Sequence, residues 1–473
     1  MHTELVVRAV DVGLRPVRLR LPFRFGAVTL RACPQLFVRV QADVAGRPAT
    51  GFAAELMVPK WFDKRSGFSP ADNVAQLGAS VQRAATAYVG DAPATPFGLF
   101  ERHYAALMSE GERAGATALT AAYGQAVLDR AVLDALCRAL DVSFFDAAAH
   151  NLPGLRDSAC IADLHGFDWG AWLRTLVPLR RVAARHTVGL LDALDATDAD
   201  AQGLPLGLPA VIERYGHRYF KIKLGGEAHA DAARLADVLA VLDRHAPGYR
   251  FTLDGNEQYA DTDALETLFE TLRPVLAVAQ RRDALLYIEQ PLARDHSLDA
   301  ALPWRTAPAP LLMDEADGSL DSFVQGHAAG WHGTSSKACK GLYKAIVNRA
   351  RCERWNEAAR RDGEAPRAFM SAEDLTCQAG LAVQQDLALA ALLGLAHSER
   401  NGHHYAGGFG GAPMAEQRAF AAAHADLYDG DPALLRIEEG KLRLDSLFAA
   451  GFAHRADPDW SSMQPLNAAG SMI

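Results

Sequence analysis

Lys223, Asp254, Glu289, Asp314 and Lys337 each close a short apolar run: FKIK, FTLD, LYIE, LLMD and TSSK. The intervals are 31, 35, 25 and 23 residues by subtraction, close to the roughly 30 residues of a strand–helix–strand unit. Singly, each has a plain explanation. Asp254 opens an Asp-Gly turn, Glu289 precedes Gln-Pro, and Asp314 stands where a helix cap would. Five on consecutive units are a stronger signal. The C-terminal ends of parallel barrel strands ring one mouth, so the spacing predicts three carboxylates in the company of two amines. Carboxylates converging alone repel, and their pKa values rise. A hard divalent cation relieves this. Oxygen donors without His or Cys suit Mg²⁺, with Mn²⁺ as a substitute.

A second lysine, Lys221, precedes Lys223 by two residues in YFKIKLGG. A strand has a side-chain period of two, so both amines leave the same face. Such a pair alone reads as a solvated edge. Beside a base it has another use: a neighbouring ammonium, a metal's charge and desolvation together favour the neutral amine, which predicts a Lys223 that titrates near ~7–8.

The elements that must position these groups are legible as texture. Residues 1 to about 60 alternate like strands (ELVVRAVDV, QLFVRVQADV), and Ala126 to Leu140 has helical spacing. From about 185 onward short apolar runs alternate with amphipathic stretches: HTVGLL, YFKIK, RFTLD, LLYIE, PLLMD, GTSSK, RAFMS and LLGLAH. Eight such runs predict a closed parallel barrel. LLRIEEGKLRLDSL reads as a hairpin about Glu439-Gly440 that returns to the N-terminal part.

Composition sets the class. Of 473 residues, 49% are hydrophobic and 22% charged, enough for a large core. A net charge of −9 argues against a nucleic-acid surface. Six cysteines without a C-x-x-C pair read as reduced thiols. The N-terminal stretch is broken by charges, and the run Leu387 to Ala396 is too short to span a bilayer. A cytoplasmic protein with no membrane or nucleic-acid partner, and a homo-oligomer, is expected.

The order Lys-x-Lys, Asp-x-Asn, Glu-Gln-Pro, Asp-Glu, Lys on successive runs resembles the enolase superfamily, in its muconate-lactonising subgroup with a lysine on each side of the site. The resemblance implies an α/β fold: a modified (β/α)7β TIM barrel with an α+β capping domain. Residues 1–145 would be the cap, 146–404 the barrel and 405–473 the return to the cap. It implies Asp254, Glu289 and Asp314 as Mg²⁺ ligands, Lys223 and Lys337 as acid/base pair, and Lys221 as support. Asn256 and Glu315 would orient the ligands and the lysine of strand six. The implied activity is abstraction of a proton α to the carboxylate of a small-molecule acid, through a metal-stabilised enediolate. Two opposed lysines favour a racemase or epimerase. Cycloisomerase and acid-sugar dehydratase run on the same scaffold. A class I aldolase and a non-catalytic metal-binding relative are the alternatives of other kinds.

Where relatives of the dipeptide-epimerase type carry Asp-x-Asp, this chain has His397, Glu399 and Asn401, which are candidate substrate contacts. Arg24, Arg31 and Lys60 in the two loops resembling specificity loops are candidates for a distal anion, with Phe25 and Trp61 as pocket walls. His403 and His404 are adjacent, and an extended backbone would point them to opposite sides, which argues against a second metal site.

Overall fold

The N-terminal alternation forms three long antiparallel strands, β1 (Leu5–Phe25), β2 (Val28–Val44) and β3 (Arg47–Leu56), in the computed structural model, which describes residues 3–196, 198–298, 302 and 305–467. The β1–β2 register shifts between Val7 and Ala9 and again between Arg18 and Phe23. Such irregularities re-aim the side chains beyond them. Phe23, Phe25 and Leu30, past the second shift, are buried.

α3 (Ala118–Leu140) covers one face of this sheet, and α1 (Pro70–Tyr88) and α2 (Pro96–Arg113) pack against α3. α3 starts eight residues before the run that announces it, at a Thr117 cap whose hydroxyl accepts from Thr120 N. Its approach to β3 requires a glycine: a Cβ on Gly51 would lie 2.0 Å from the Ala131 carbonyl oxygen. Arg130 on α3 pairs with Glu55 on β3 at 3.0 Å, both fully buried. A buried charge needs such a partner.

The eight later runs form a closed parallel barrel: β4 (Arg181–Val188), β5 (Tyr219–Lys223), β6 (Arg250–Asp254), β7 (Leu285–Glu289), β8 (Leu311–Met313), β9 (Gly333–Ser336), β10 (Phe369–Ala372) and β11 (His397–Arg400). Pairing of β11 with β4 completes the ring. Two runs are displaced from their expected place. β4 lies at Arg181–Val188 instead of beginning at His186, and β11 begins where LLGLAH ends. The helix Leu381–Leu392 takes up the first leucine of that run, Leu393 caps it, and Gly394 follows at φ 71° in the turn. The C-terminal segment also differs from a simple return to the cap. Lys441–Arg443 pairs antiparallel with β4 of the barrel, and only Gln464–Pro465 joins β1. Among the described residues no helix is long and apolar enough to cross a membrane.

Candidate active site

Register places the chemistry. In the parallel ladder Lys223 lies opposite Asp254, and Asp254 opposite Glu289. Glu289 pairs with Leu312, so Asp314, two residues further, leaves the same face. Lys337 follows the last residue of β9. The strand order therefore reads Lys223, Asp254, Glu289, Asp314, Lys337, with an amine at each end of a carboxylate row. All five are buried.

Each end of the row is an ion pair. Lys223 Nζ lies 2.6 Å from Asp254 Oδ2, and Lys337 Nζ 2.6 Å from Asp314 Oδ2. Lys221 reaches deeper, to Asp254 at 2.9 Å, Glu289 at 2.7 Å, Glu373 at 2.9 Å and Glu399 at 3.0 Å. Burial opposes its charge, but Asp254, Glu289 and the other two carboxylates prevail and hold its pKa well above the usual lysine value. Four carboxylates thus surround the Lys221 charge. Lys337 is likewise raised, since Asp314 outweighs the burial that disfavours its ammonium form.

The carboxylates do not meet as a tight trio. Among the described residues, the groups of three ligand atoms within 4.8 Å of one another are His186, His217, His403 and His186, Asp192, His404. In the row, the oxygens turn to ammonium groups instead. Still, the donor set fits Mg²⁺. Burial, then Asp254 and Glu373, push the Glu289 carboxyl well above its ordinary pKa. Its Oε2 is buried without a hydrogen bond of sound geometry. A buried row of three carboxylates, with oxygen as its only donor atom, is the ligand chemistry a hard cation prefers.

Asn256 lies between Asp254 and Lys223. Its backbone N donates to Asp254 Oδ1 at 2.9 Å, and its side-chain Oδ1 accepts from Lys223 at 2.9 Å. Glu315 does not touch the lysine of strand six. It accepts from Asn256 Nδ2 at 3.1 Å and faces Lys64 at 3.6 Å. Asp314 is oriented by Ser335, whose hydroxyl donates at 2.5 Å, and Lys340 donates to that hydroxyl at 2.8 Å.

Lys221, Lys223 and Lys337 open into one narrow cavity of about 20 Å³, also lined by Asn256, Glu399 and Asn401. Its cap-side wall is Phe23, Phe25, Leu30, Val58 and Trp61. Phe23 lies 5.6 Å from the Lys223 amine, and Trp61 lies 4.4 Å from that of Lys337. Glu399 accepts from Thr187 at 2.6 Å and from Asn401 at 2.8 Å.

Several expected contacts lie elsewhere. Arg24 is exposed and reaches only the Gly26 carbonyl, at 3.4 Å; Arg31 is exposed too. Lys60 donates to the carbonyls of Arg65 and Phe68. His397 stacks on Tyr219 and contacts Arg185, at the start of β11 and outside the cavity lining. Sequence reasoning passed over Glu373, although it ends the next run, FMSAE, 36 residues after Lys337 by subtraction. Arg294, without any signal in the sequence, ties Glu257 at 2.8 Å to the Trp61 carbonyl at 2.8 Å, and so joins cap loop to barrel loop.

Residues 208–355 match the family model described as Enolase C-terminal domain-like. No curated protein matches the chain in sequence. The structure is similar to an enolase from Bradyrhizobium complexed with magnesium and mandelic acid, with 17% identity, TM-score 0.61 and 98% of each chain covered. It is also similar to muconate lactonizing enzyme from Pseudomonas fluorescens complexed with muconolactone (15%, 0.59, 96% of this chain and 97% of that one). A third is a dipeptide epimerase from Enterococcus faecalis complexed with Mg and the dipeptide L-Leu-L-Tyr (15%, 0.58, 95% and 99%). The chain as a whole takes the enolase-superfamily fold of the mandelate racemase/muconate lactonizing enzyme-like proteins, and its residues 208–355 are similar to the C-terminal domain of that fold.

Proposed function

We propose that the protein is a Mg²⁺-dependent enzyme that removes the proton α to the carboxylate of a small acid and returns it on the other face, a racemase or epimerase. The observation that carries this reading is the row itself: two buried amines, at opposite ends of three buried carboxylates, open into one cavity. Asp254, Glu289 and Asp314 hold the ion. Bound there, Mg²⁺ would neutralise the charge that develops on the substrate carboxylate. Lys223 takes the proton on one face and Lys337 delivers one on the other. Asn256 keeps Lys223 and Asp254 in register through its two hydrogen bonds. Phe23 and Trp61 exclude water from the two amines.

The cap wall bears on the substrate. Its lining residues are all apolar, so the part of the substrate distal to the carboxylate is apolar or aromatic. Acid sugars would leave hydroxyls unpaired against that wall, which disfavours the dehydratase alternative. Cycloisomerisation is the second reading. It needs one lysine to remain a cation, and the hold of Asp314 on Lys337 favours that role.

The test is ¹H NMR in D₂O with Mg²⁺ over pooled N-acylated amino acids, aryl hydroxy acids and unsaturated diacids. Loss of an α-proton signal is expected, and Lys223→Ala or Lys337→Ala should each slow it by ~10²–10⁴-fold, from opposite enantiomers. Metal binding without exchange across these acids would leave a non-catalytic relative.

A further inference from the structure

A second cluster lies outside the cavity lining, at the seam where the barrel closes. His186 is on β4, His217 stands two residues before β5, and His403 is on the four-residue helix Gly402–Tyr405 just after β11. Their ring centroids form a nearly equilateral triangle, with sides of 5.2, 5.3 and 5.5 Å. One nitrogen from each ring lies within 4.8 Å of the other two. The rings are 2%, 0% and 4% exposed.

The nitrogens lack partners. His186 Nδ1, His217 Nε2 and both nitrogens of His403 are buried without a hydrogen bond. Four such atoms in one place are unusual, because an unpaired buried polar group costs about 1–3 kcal/mol. The tautomer of His217 says what would satisfy them. Its Nδ1 lies 3.0 Å from the Ala184 carbonyl oxygen. A carbonyl only accepts, so Nδ1 carries the proton and Nε2 presents a lone pair to the other rings. An imidazole anchored through one nitrogen to a carbonyl, with the other free, is the usual arrangement of a metal-ligating histidine. A neutral imidazole keeps one lone-pair nitrogen, and three such rings with a nitrogen each within 4.8 Å of the others can share a Lewis acid.

We propose that His186, His217 and His403 are the ligands of a transition-metal dication of the zinc class, held apart from the carboxylate row as a cross-link of the barrel seam. Three imidazoles select such an ion over Mg²⁺, which prefers oxygen. The surrounding charges permit it. Arg20 is paired with Asp200 at 2.8 Å, and Arg400 with Asp386. Asp192, in an overlapping trio with His186 and His404, takes its hydrogen bonds among the described residues from neutral donors, Gly189 N and Tyr405 Oη, with Arg234 and Arg20 acting on it from further off. Its carboxylate is the nearby counter-charge. The argument from adjacent histidines fails because the chain is helical at this point: His403 enters one trio and His404 the other, both around His186.

The test uses full-length protein carrying Glu289→Gln, which silences the carboxylate row. After chelator treatment it receives Zn²⁺ or Co²⁺ in the presence of excess Mg²⁺. One equivalent of zinc should survive desalting, the melting temperature should rise, and cobalt should show the intense visible bands of a four-coordinate nitrogen site. Adding His403→Leu, or His217→Phe should the first fail to fold, should abolish retention and bands. Failure to retain zinc, the weak bands of a six-coordinate oxygen site, or retention unchanged in either histidine variant would overturn the proposal. These readouts do not depend on catalysis, so they stand or fall apart from the proposed function.

Discussion

The carboxylate row and the histidine trio are both buried groups of potential ligands, yet their polar atoms are satisfied in opposite ways. In the row nearly every oxygen faces an ammonium group: Lys223 on Asp254, Lys337 on Asp314 and Lys221 on four carboxylates. In the trio no acid neutralises the rings. Burial holds His217 down to about 4 and His186 and His403 well below the ordinary histidine value, so the rings are neutral at pH 7. The difference teaches how a buried group of ligands is matched by its own surroundings. Charged ligands attract counter-charges from their own protein, and a cation must displace them. Neutral ligands leave open nitrogens, and a cation meets no competitor.

The comparison can be broken most decisively at Glu289. In Glu289→Gln the Mg²⁺ response should vanish. Where the native chain at a hundredfold excess over Kd gains about 2.7 kcal/mol of stability, the variant should gain nothing in a thermal melt titrated with Mg²⁺. A full Mg²⁺ shift in the variant would remove Glu289 from the ion site.

Another imidazole, the half-buried His397, sharpens the contrast. His397 has a polar neighbour, Arg185, and its pKa is pushed down to about 3 by burial and then by that guanidinium. The unfolded ring titrates near 6.5. As pH falls from about 6.5 towards 3, the unfolded chain takes up a proton that the folded chain refuses, so stability falls with pH. His397→Gln keeps an acceptor for Arg185 without the titration. It should flatten the acid limb of denaturant-derived stability by up to about 1.4 kcal/mol per pH unit. An unchanged slope would show that His397 does not titrate in this way.

The smallest effect belongs to the cap surface. Arg24 is exposed and points to its own loop. Arg24→Ala should leave kcat/KM within about twofold, the range of an ordinary surface substitution. A specific rise in KM would bring a distal anion back into the substrate.

Much of the row was legible because a parallel barrel converts sequence spacing into position. Strand ends ring one mouth whatever the helices between them contain. Lys223, Asp254, Glu289, Asp314 and Lys337 could therefore be placed by interval and identity. The cap contacts were less legible. Which loop residues face inward depends on the shift between Arg18 and Phe23, which turns on pairing with a distant strand. Hence Phe23 was missed, while Arg24 and Lys60 were proposed as contacts.

From residue types and spacing alone came the barrel, the order of its mouth residues and the hard-cation character of their donors, because strand period and unit length are local properties of the chain. Tertiary structure alone decided which amines sit on which carboxylates, that the pocket wall is apolar, and that three histidines drawn from positions 186, 217 and 403 meet at one seam. Those contacts join segments far apart in sequence, and side-chain pairing across such distances is set by packing and by the cost of burying unmatched charge.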